Sequence, residues 1–294
     1  MMLSIHTNYT SLMTQNNLNK TSGAMDQAMQ RISTGFRINS AADDAAGLQI
    51  ATRLQSQVNG LSVASRNAQD ATSMLQTAEG AFDEMTNIAH RMKDLATQAS
   101  NGTNSGSEIA AMEAEWDELQ LELESIVDNT QYGSGNNLFD ANNGGLFTSA
   151  MTFQIGATTG ETLDFDASGE IANVVTNIGA LQGHSLDNTN PGGGANSSAQ
   201  DAMDAIDLLL SGDGTDAGIG EVRAQFGATI NRLDHTVTNL GNMRENTEMA
   251  KGRIMDTDYA VESSNMMKNQ MLTQMSMSML SQANGMSGMV MSLI

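Results

Sequence analysis

The side chains that could perform chemistry are few in this chain and lie far apart in the sequence. There is no cysteine, which excludes disulfides, thiolate metal sites and cysteine nucleophiles. None of the four histidines lies in the HExxH pattern of zinc peptidases. These histidines are His6, His90, His184 and His235. We interpret them as surface residues, and we predict that the chain is not an enzyme and holds no cofactor or metal.

Two acidic motifs resemble chemical sites but have a simpler structural interpretation. Asp43 and Asp44 have the composition of a catalytic pair, yet they precede Ala-Ala-Gly at a predicted helix start. Carboxylates there stabilise the positive end of the helix dipole and can fix a bend. Residues 213–216 begin like a calcium loop, but the downstream Ile and Glu are out of register, so we predict a solvated turn or a helix break. The predicted bend comprises Asn39, Asp43, Asp44 and Gly47.

Methionine is unusually abundant, and nine of the 23 Met residues lie in the last predicted helix, about residues 257–291. A stripe of Met suggests soft-metal binding, but the helical spacing favours a packing face. Thioether side chains adapt their shape, so such a face is appropriate for contacts with several partners. We predict that packing in an inner core is made by Ile5, Leu12, Met29, Ile32, Met267, Met271, Met275 and Leu280.

Charge separates the two ends of the chain from its middle. Residues 1–56 carry four cations and three carboxylates, and the last 38 residues carry only Asp258, Glu262 and Lys268. Residues 70–221 carry 25 carboxylates against Arg91 and Lys93. The net charge of −21 argues against nucleic acid and against an anionic membrane surface. This pattern predicts an assembly subunit whose ends are buried between copies and whose acidic middle faces water.

The sequence shows neither the pattern of a cleaved signal peptide nor that of a membrane-spanning helix. The first 20 residues lack a basic stretch followed by an apolar core, so we expect no cleaved signal peptide. No segment reaches the roughly 18 uninterrupted apolar residues of a spanning helix, so we expect no membrane insertion.

The spacing of small and apolar residues predicts long helices on both sides of a short centre. From Ala51 to Ala99 such residues recur at alternating steps of three and four, which is typical of a coiled-coil seam. Residues 108–127 predict a second helix with Trp116, Leu119, Leu123 and Ile126 on one face. Met151, Phe153 and Ile155, with Leu163 and Phe165, predict a hairpin that turns at residues 159–160. Helical spacing resumes at residue 199 and is interrupted at the glycine-rich residues 211–220.

The predicted fold is mainly α, with long antiparallel helical rods in a coiled-coil-like bundle, a small β-hairpin and packed terminal helices. We divide the chain into five segments. They are an N-terminal inner-core helix at 1–45, N-terminal rod helices at 46–130, a hairpin with a variable surface region at 131–198, a C-terminal rod helix at 199–254 and a C-terminal inner-core helix at 255–294.

Several ordered blocks resemble one family, bacterial flagellin. Residues 18–53, LNKTSGAMDQAMQRISTGFRINSAADDAAGLQIATR, are similar to its N-terminal signature, and ASRNAQDATSMLQTAEGA at 64–81 continues the match. Further matches are IGATTGETLDFD at 155–166 and AQFGATINRLDHTVTNL at 224–240. RIMDTDYA at 253–260 and the Met-rich tail resemble its C-terminal signature. Several independent blocks in order are more specific than one short motif.

The resemblance implies a structural subunit that polymerises head-to-tail into the flagellar filament and serves motility. It further implies export to the flagellum, a chaperone on the C-terminal helix, and contacts with hook-associated junction and cap proteins. Two alternatives remain open from the sequence: a hook–filament junction protein, and a soluble coiled-coil adaptor. The adaptor would stay a finite oligomer where a filament subunit forms long fibres.

A host partner is also implied by the resemblance. IAHRMKDLATQASNGTN at 88–104 is similar to the flagellin stretch that a Toll-like receptor recognises. The matching positions are Arg91, Leu95 and, on the next helix, Glu115. Arg91 and Leu95 are four residues apart, so we expect a charged residue beside an apolar one on one helical face.

Overall fold

The computed structural model describes residues 8–133, 135–139, 144–186, 198–214 and 216–291. Helices dominate this described part, and one small antiparallel sheet accompanies them. The helices are α1 (Tyr9–Thr34), α2 (Ala45–Ala99), α3 (Gly106–Asn129), α4 (Ser168–Leu181), α5 (Ala199–Ser211), α6 (Ile219–Met255) and α7 (Tyr259–Met291). The strands are β1 (Met151–Gln154) and β2 (Thr162–Phe165), and a 3-10 turn covers Leu146–Thr148. The predicted mainly α fold with a small hairpin is confirmed.

The chain divides into two compact units. The first contains residues 1–58 and 244–294, and therefore both terminal helices. The second contains residues 59–243, with most of α2 and α6 and all of the sheet. The five segments predicted from the sequence do not correspond to these two units one by one, and that division stays a prediction.

The face predicted for α2 is the face that α2 buries. Every position of the series is buried or half-buried, and none is exposed. The positions are Ala51, Leu54, Val58, Leu61, Ser65, Ala68, Thr72, Leu75, Ala78, Phe82, Met85, Ala89, Met92, Ala96 and Ala99. In the second unit α6 runs antiparallel to this face, since Leu240 packs on Leu61 and Arg223 lies 3.0 Å from Asp83. Small residues at many of these positions permit close approach of the two helices.

Helix α3 begins at a side-chain cap and packs on the same core. The Glu108 carboxylate accepts hydrogen bonds from the backbone nitrogen and the hydroxyl of Ser105, at 2.7 and 2.8 Å. These bonds lower the pKa of Glu108, because they stabilise its charged form. The buried face contains Trp116 and Leu123, as predicted, while Leu119 and Ile126 are only half-buried.

The predicted small hairpin is confirmed, and the structure supplies its register. Phe153 pairs with Leu163, and the strands join through residues 155–161. The sequence interpretation missed α4, which follows β2 and buries Ile171, Val174, Ile178 and Leu181. These four residues recur at steps of three or four, so the helical signal was present within a segment interpreted as variable surface.

Five phenylalanines fill the centre of the second unit. Phe226 on α6 lies 5.7, 5.4 and 5.5 Å from the ring centroids of Phe82, Phe147 and Phe165. Phe139 completes the cluster, 4.8 Å from Phe82. The cluster brings α2, α6, β2 and the 3-10 turn together, so a chain with few aromatic residues concentrates most of its phenylalanines at one junction.

The glycine-rich segment after α5 does interrupt the C-terminal rod helix. Gly212 has a φ of +70°, and a Cβ added there would lie 2.3 Å from the Asp216 carbonyl oxygen. A Cβ on Gly218 would lie 2.4 Å from the Gly212 nitrogen. The turn is also closed by the Asp213 carboxylate, which accepts from the Asp216 backbone nitrogen at 2.9 Å. Residues 199–254 therefore form two helices, α5 and α6, because only glycine permits this turn.

Candidate functional site: the terminal helix pair

In the first unit, α1 and α7 pack side by side in opposite directions. At one end the Asn8 side-chain amide donates to the Ala283 carbonyl at 2.9 Å. At the other end Arg31 lies 3.6 Å from Glu262. The two ends of the sequence, which carry little charge, thus form one antiparallel helix pair.

The surface of α7 that faces α1 is a regular but largely polar seam. Its least exposed positions recur at alternating steps of four and three: Glu262, Met266, Asn269, Thr273, Ser276, Leu280 and Ala283. The corresponding positions of α1 are Ser11, Thr14, Leu18, Thr21, Met25, Ala28 and Ile32. Because many of these side chains are small or polar, pairing within one chain buries little apolar area.

Three large apolar side chains of α7 point away from this seam, whereas Met266 and Leu280 lie within it. Met267, Met271 and Met275, here called the methionine row, are 55%, 65% and 65% exposed. Residues four apart share one helix face, and Met271 lies two positions from both Asn269 and Thr273. The methionine row is therefore on the side of α7 opposite α1. An exposed apolar row of this kind is typical of a contact with another molecule.

The predicted inner-core residues fall into two groups. Ile32 and Leu280 are half-buried in the seam within the chain. Leu12 and Met29, like the methionine row, are exposed, at 53% and 48%. Ile5 lies outside the described residues. The sequence grouped these residues by type, and the structure separates them by the face they occupy.

Arg31 and Glu262 form an ion pair that the sequence interpretation missed. Glu262 is 7% exposed, and its side chain and that of Arg31 retain 10% and 25% of their exposure. The Nε atom of Arg31 is also buried, with no hydrogen-bond partner in the described part of the chain. The available signal was that the sequence of α1 contains one guanidinium, Arg31, and that of α7 contains one carboxylate, Glu262.

This pair should fix the register of α1 against α7. We expect Glu262→Arg to reduce helical content and polymer yield, because two like charges would then lie in a partly buried contact. Breaking such a pair costs about 3–5 kcal/mol. We expect the double variant Arg31→Glu, Glu262→Arg to recover most of the loss, as measured by circular dichroism and light scattering. The control is Asp26→Arg, which changes an exposed carboxylate of α1. Failure of the double variant to recover would contradict a pairwise role.

The bend between α1 and α2 pairs with the segment between α6 and α7. The Arg37 backbone nitrogen donates to the Met255 carbonyl at 2.6 Å, and the Thr257 nitrogen donates to the Gly35 carbonyl at 3.0 Å. The Arg37 guanidinium also donates to the Ile254 carbonyl, at 2.9 Å. The two connecting segments are therefore held together by hydrogen bonds to backbone carbonyls, next to the terminal helix pair.

The predicted bend residues each make a specific contact. The Asp43 carboxylate accepts from the backbone nitrogens of Asn39 and Ser40, at 3.2 and 2.9 Å, and these bonds lower the pKa of Asp43. The Asp44 carboxylate accepts from the Gly47 backbone nitrogen at 2.9 Å, as an N-cap of α2 does. A Cβ on Gly47 would lie 2.4 Å from an Asp44 carboxylate oxygen and 2.8 Å from the Ile38 Cδ1, so a side chain there would have to displace both groups.

The residues matched to a receptor contact are only partly at the surface. Arg91 and Glu115 form an ion pair with side chains 54% and 45% exposed, and the Arg91 Nε donates to Glu115 at 2.8 Å. Leu95 is 2% exposed and belongs to the core of the second unit. The interpretation of Leu95 as an exposed apolar contact is corrected, because the helix turns this side chain towards the core.

The histidines and carboxylates considered as possible catalytic or metal-binding residues do not come together in a site among the described residues. His90 and His235 are exposed, His184 is half-buried and His6 lies outside the described residues. Among the described residues, no group of three or more His, Asp or Glu side chains could hold a metal ion. No helix in that part of the chain has both the length and the hydropathy to cross a bilayer.

Two family models match the two ends of the chain. The model of the bacterial flagellin N-terminal helical region matches residues 5–144, and that of the C-terminal helical region matches residues 213–294. Together they include both terminal helices, the bend and the whole of the two long helices α2 and α6.

Individual relatives match over most of their length. Flagellin from Halalkalibacterium halodurans is 40% identical over 259 residues, which cover 88% of this chain and 87% of that protein. Flagellin A of Vibrio anguillarum is 33% identical, and the match covers both chains in full. The crystal structure of Bacillus cereus flagellin aligns with a TM-score of 0.47 and 29% identity, covering 60% of this chain and 88% of that one.

Proposed function

Because this chain belongs to the bacterial flagellin family and is a structural subunit of the flagellar filament, we propose that it polymerises head-to-tail through the outward faces of α1 and α7. The observation that carries the proposal is the methionine row, more than half exposed and turned away from α1. A contact between different patches on successive copies does not close into a ring and produces an open helical polymer. The acidic residues of the second unit would then stay in contact with water.

The methionine row can be tested by changing its polarity without changing its length. We expect Met267→Gln, Met271→Gln and Met275→Gln together to raise the threshold concentration for polymerisation. A loss of about 1 kcal/mol per side chain would weaken each subunit contact about 100-fold. Seeded polymerisation followed by light scattering and electron microscopy measures the threshold.

The matched control replaces the same three residues with leucine. Leucine keeps an apolar side chain of similar volume, so this variant should polymerise within a few-fold of the unmodified threshold. A glutamine variant that polymerised as readily as the unmodified chain would contradict the proposed surface. Finite oligomers instead of long fibres from the unmodified chain would favour the adaptor alternative.

We further propose that helper proteins of the flagellum recognise the same surface. A chaperone bound to α7 would cover the exposed methionine row and keep subunits apart before export. Hook-associated junction and cap proteins would contact the terminal helices at the two ends of the filament. The adaptable thioether side chains of the row support contacts with several different partners.

A contact with a host Toll-like receptor is proposed for the exposed ion pair of Arg91 and Glu115. We expect Arg91→Ala to weaken binding of the monomer to the receptor ectodomain by about 10-fold or more, as for loss of a charged hydrogen bond. Arg66→Ala, which removes another exposed guanidinium of α2, is the control. Equal affinities of the Arg91 variant and the unmodified monomer in a titration would rule out this contact.

A further inference from the structure

We propose that the methionine row of α7 is a site of reversible oxidation by peroxide, and that its oxidation state controls whether the subunit can join a filament. The inference rests on the proposed function, because it assigns a regulation to the same surface. Its chemistry depends on sulfur, whereas polymerisation itself requires only an apolar side chain. The two can therefore be separated by experiment.

The reaction needs only a thioether and hydrogen peroxide. The sulfur lone pair of methionine attacks one peroxide oxygen, so that an S–O bond forms and the O–O bond breaks. The displaced hydroxide takes up the proton of the new sulfur-bound hydroxyl, which leaves methionine sulfoxide and water. Sulfur loses two electrons and the peroxide gains them. Methionine sulfoxide reductases reverse the change, using a dithiol that is oxidised to a disulfide, and water is released.

Accessibility separates the row from the buried methionines of the core, whereas Met13, Met277 and Met279 are also more than half exposed and are as accessible as the row. Met271 and Met275 are each 65% exposed, and Met267 is 55% exposed. In the core of the second unit, Met85 and Met92 are 1% and 0% exposed. A peroxide molecule reaches the first group directly, but it reaches the second only when the core opens. The buried methionines thus provide an internal reference within the same chain.

Because the row lies on the side of α7 opposite α1, oxidation should weaken contacts between copies and leave the fold of the single chain intact. A sulfoxide is polar and accepts hydrogen bonds, so burying it without a partner is unfavourable. Asn269, Thr273 and Ser276, the central seam positions across the helix from the row, contain no sulfur, and the seam methionines Met25 and Met266 are half-buried. Oxidation of the row therefore leaves the central part of the α1–α7 contact unchanged, and it converts the outward apolar face into a polar one.

Assembly should consequently slow oxidation of the methionine row, and oxidation of the row should prevent assembly. In a free subunit the row is exposed and reactive. In a filament held together through the row, the same sulfurs are covered by neighbouring subunits and react slowly. Oxidised subunits would stay out of the growing polymer until they are reduced, while subunits already incorporated would keep their contacts.

The experiment exposes purified full-length monomer and preformed filament to the same concentration of hydrogen peroxide. Tandem mass spectrometry follows sulfoxide at each methionine. We expect the row to oxidise at least about 10-fold faster in the monomer than either Met85 in the monomer or the row in the filament. Seeded polymerisation of the oxidised monomer should need at least about 10-fold more protein, and methionine sulfoxide reductases with a dithiol should restore the original threshold.

Two leucine variants identify the sulfurs responsible. The variant Met267→Leu, Met271→Leu, Met275→Leu should polymerise after peroxide treatment with little change in threshold. The control Met243→Leu, Met249→Leu removes two exposed methionines of α6 and keeps the row, so it should remain sensitive. Circular dichroism before and after oxidation checks that both variants stay helical.

The possible results separate the two proposals. Unmodified monomer that polymerises equally well before and after oxidation of the row would overturn the oxidative control alone. So would loss of polymerisation in the oxidised row-leucine variant, since other methionines would then be responsible. Unmodified monomer that forms no polymer even before oxidation would contradict the proposed function as well.

Discussion

Removal of residues 1–40 and 257–294 is expected to leave a folded, monomeric, helical protein that forms no filaments. The trimmed chain loses α1 and α7 and with them the methionine row. The main hydrophobic core lies between Ala68 and Leu233 and includes none of the trimmed residues. Because that core is intact, folding should survive while assembly is abolished.

The measurement combines light scattering in the presence of filament seeds with circular dichroism and the fluorescence of Trp116, which is fully buried in the retained core. Deletion of residues 257–294 alone is the informative comparison. It should also abolish polymers, because α1 would lose the helix with which it pairs. Long polymers from the doubly trimmed protein would show that assembly uses other surfaces.

Replacement of Phe226 by alanine is expected to lower the free energy of unfolding of the second unit by about 3–5 kcal/mol, as for loss of a fully buried phenylalanine. Phe226 is 0% exposed, and three other phenylalanine rings surround it within 5.7 Å. The cavity left behind would be lined by side chains from several elements that cannot all move inward together. Chemical denaturation followed by Trp116 fluorescence measures the change.

Leu121→Ala provides the control for this prediction. Leu121 is 58% exposed on α3, so its truncation should change the free energy of unfolding by no more than about 0.5 kcal/mol. If the Phe226 variant were no less stable than the Leu121 variant, the aromatic cluster would not be the centre of the core.

Local patterns with a clear period could be predicted from the sequence. The seam of α2 and the alternating residues of the hairpin both appear in the structure where the sequence placed them. Each pattern reports which side of one element is apolar, and burial of that side follows directly. The cap at Asp44 was predictable for a similar reason, since it depends on residues only three positions apart.

Features that depend on pairing between distant segments were harder to predict from the sequence. The Arg31–Glu262 contact joins residues more than 200 positions apart, so spacing gives no sign of it. Leu95 was assigned from the family resemblance, and its separation of four from Arg91 predicted one shared face. The face that α2 buries extends to Leu95 and leaves Arg91 outside. Similarly, only the position of α1 separates Leu280 in the seam from Met275 on the outer face.

A filament polymerised from the full-length chain and imaged by electron cryo-microscopy at side-chain resolution would test the central claim most directly. The account predicts that Met267, Met271 and Met275 lie within van der Waals contact of neighbouring copies, and that their exposure falls from 55–65% to the level of buried residues. A filament in which these three side chains face solvent or an open channel would contradict it.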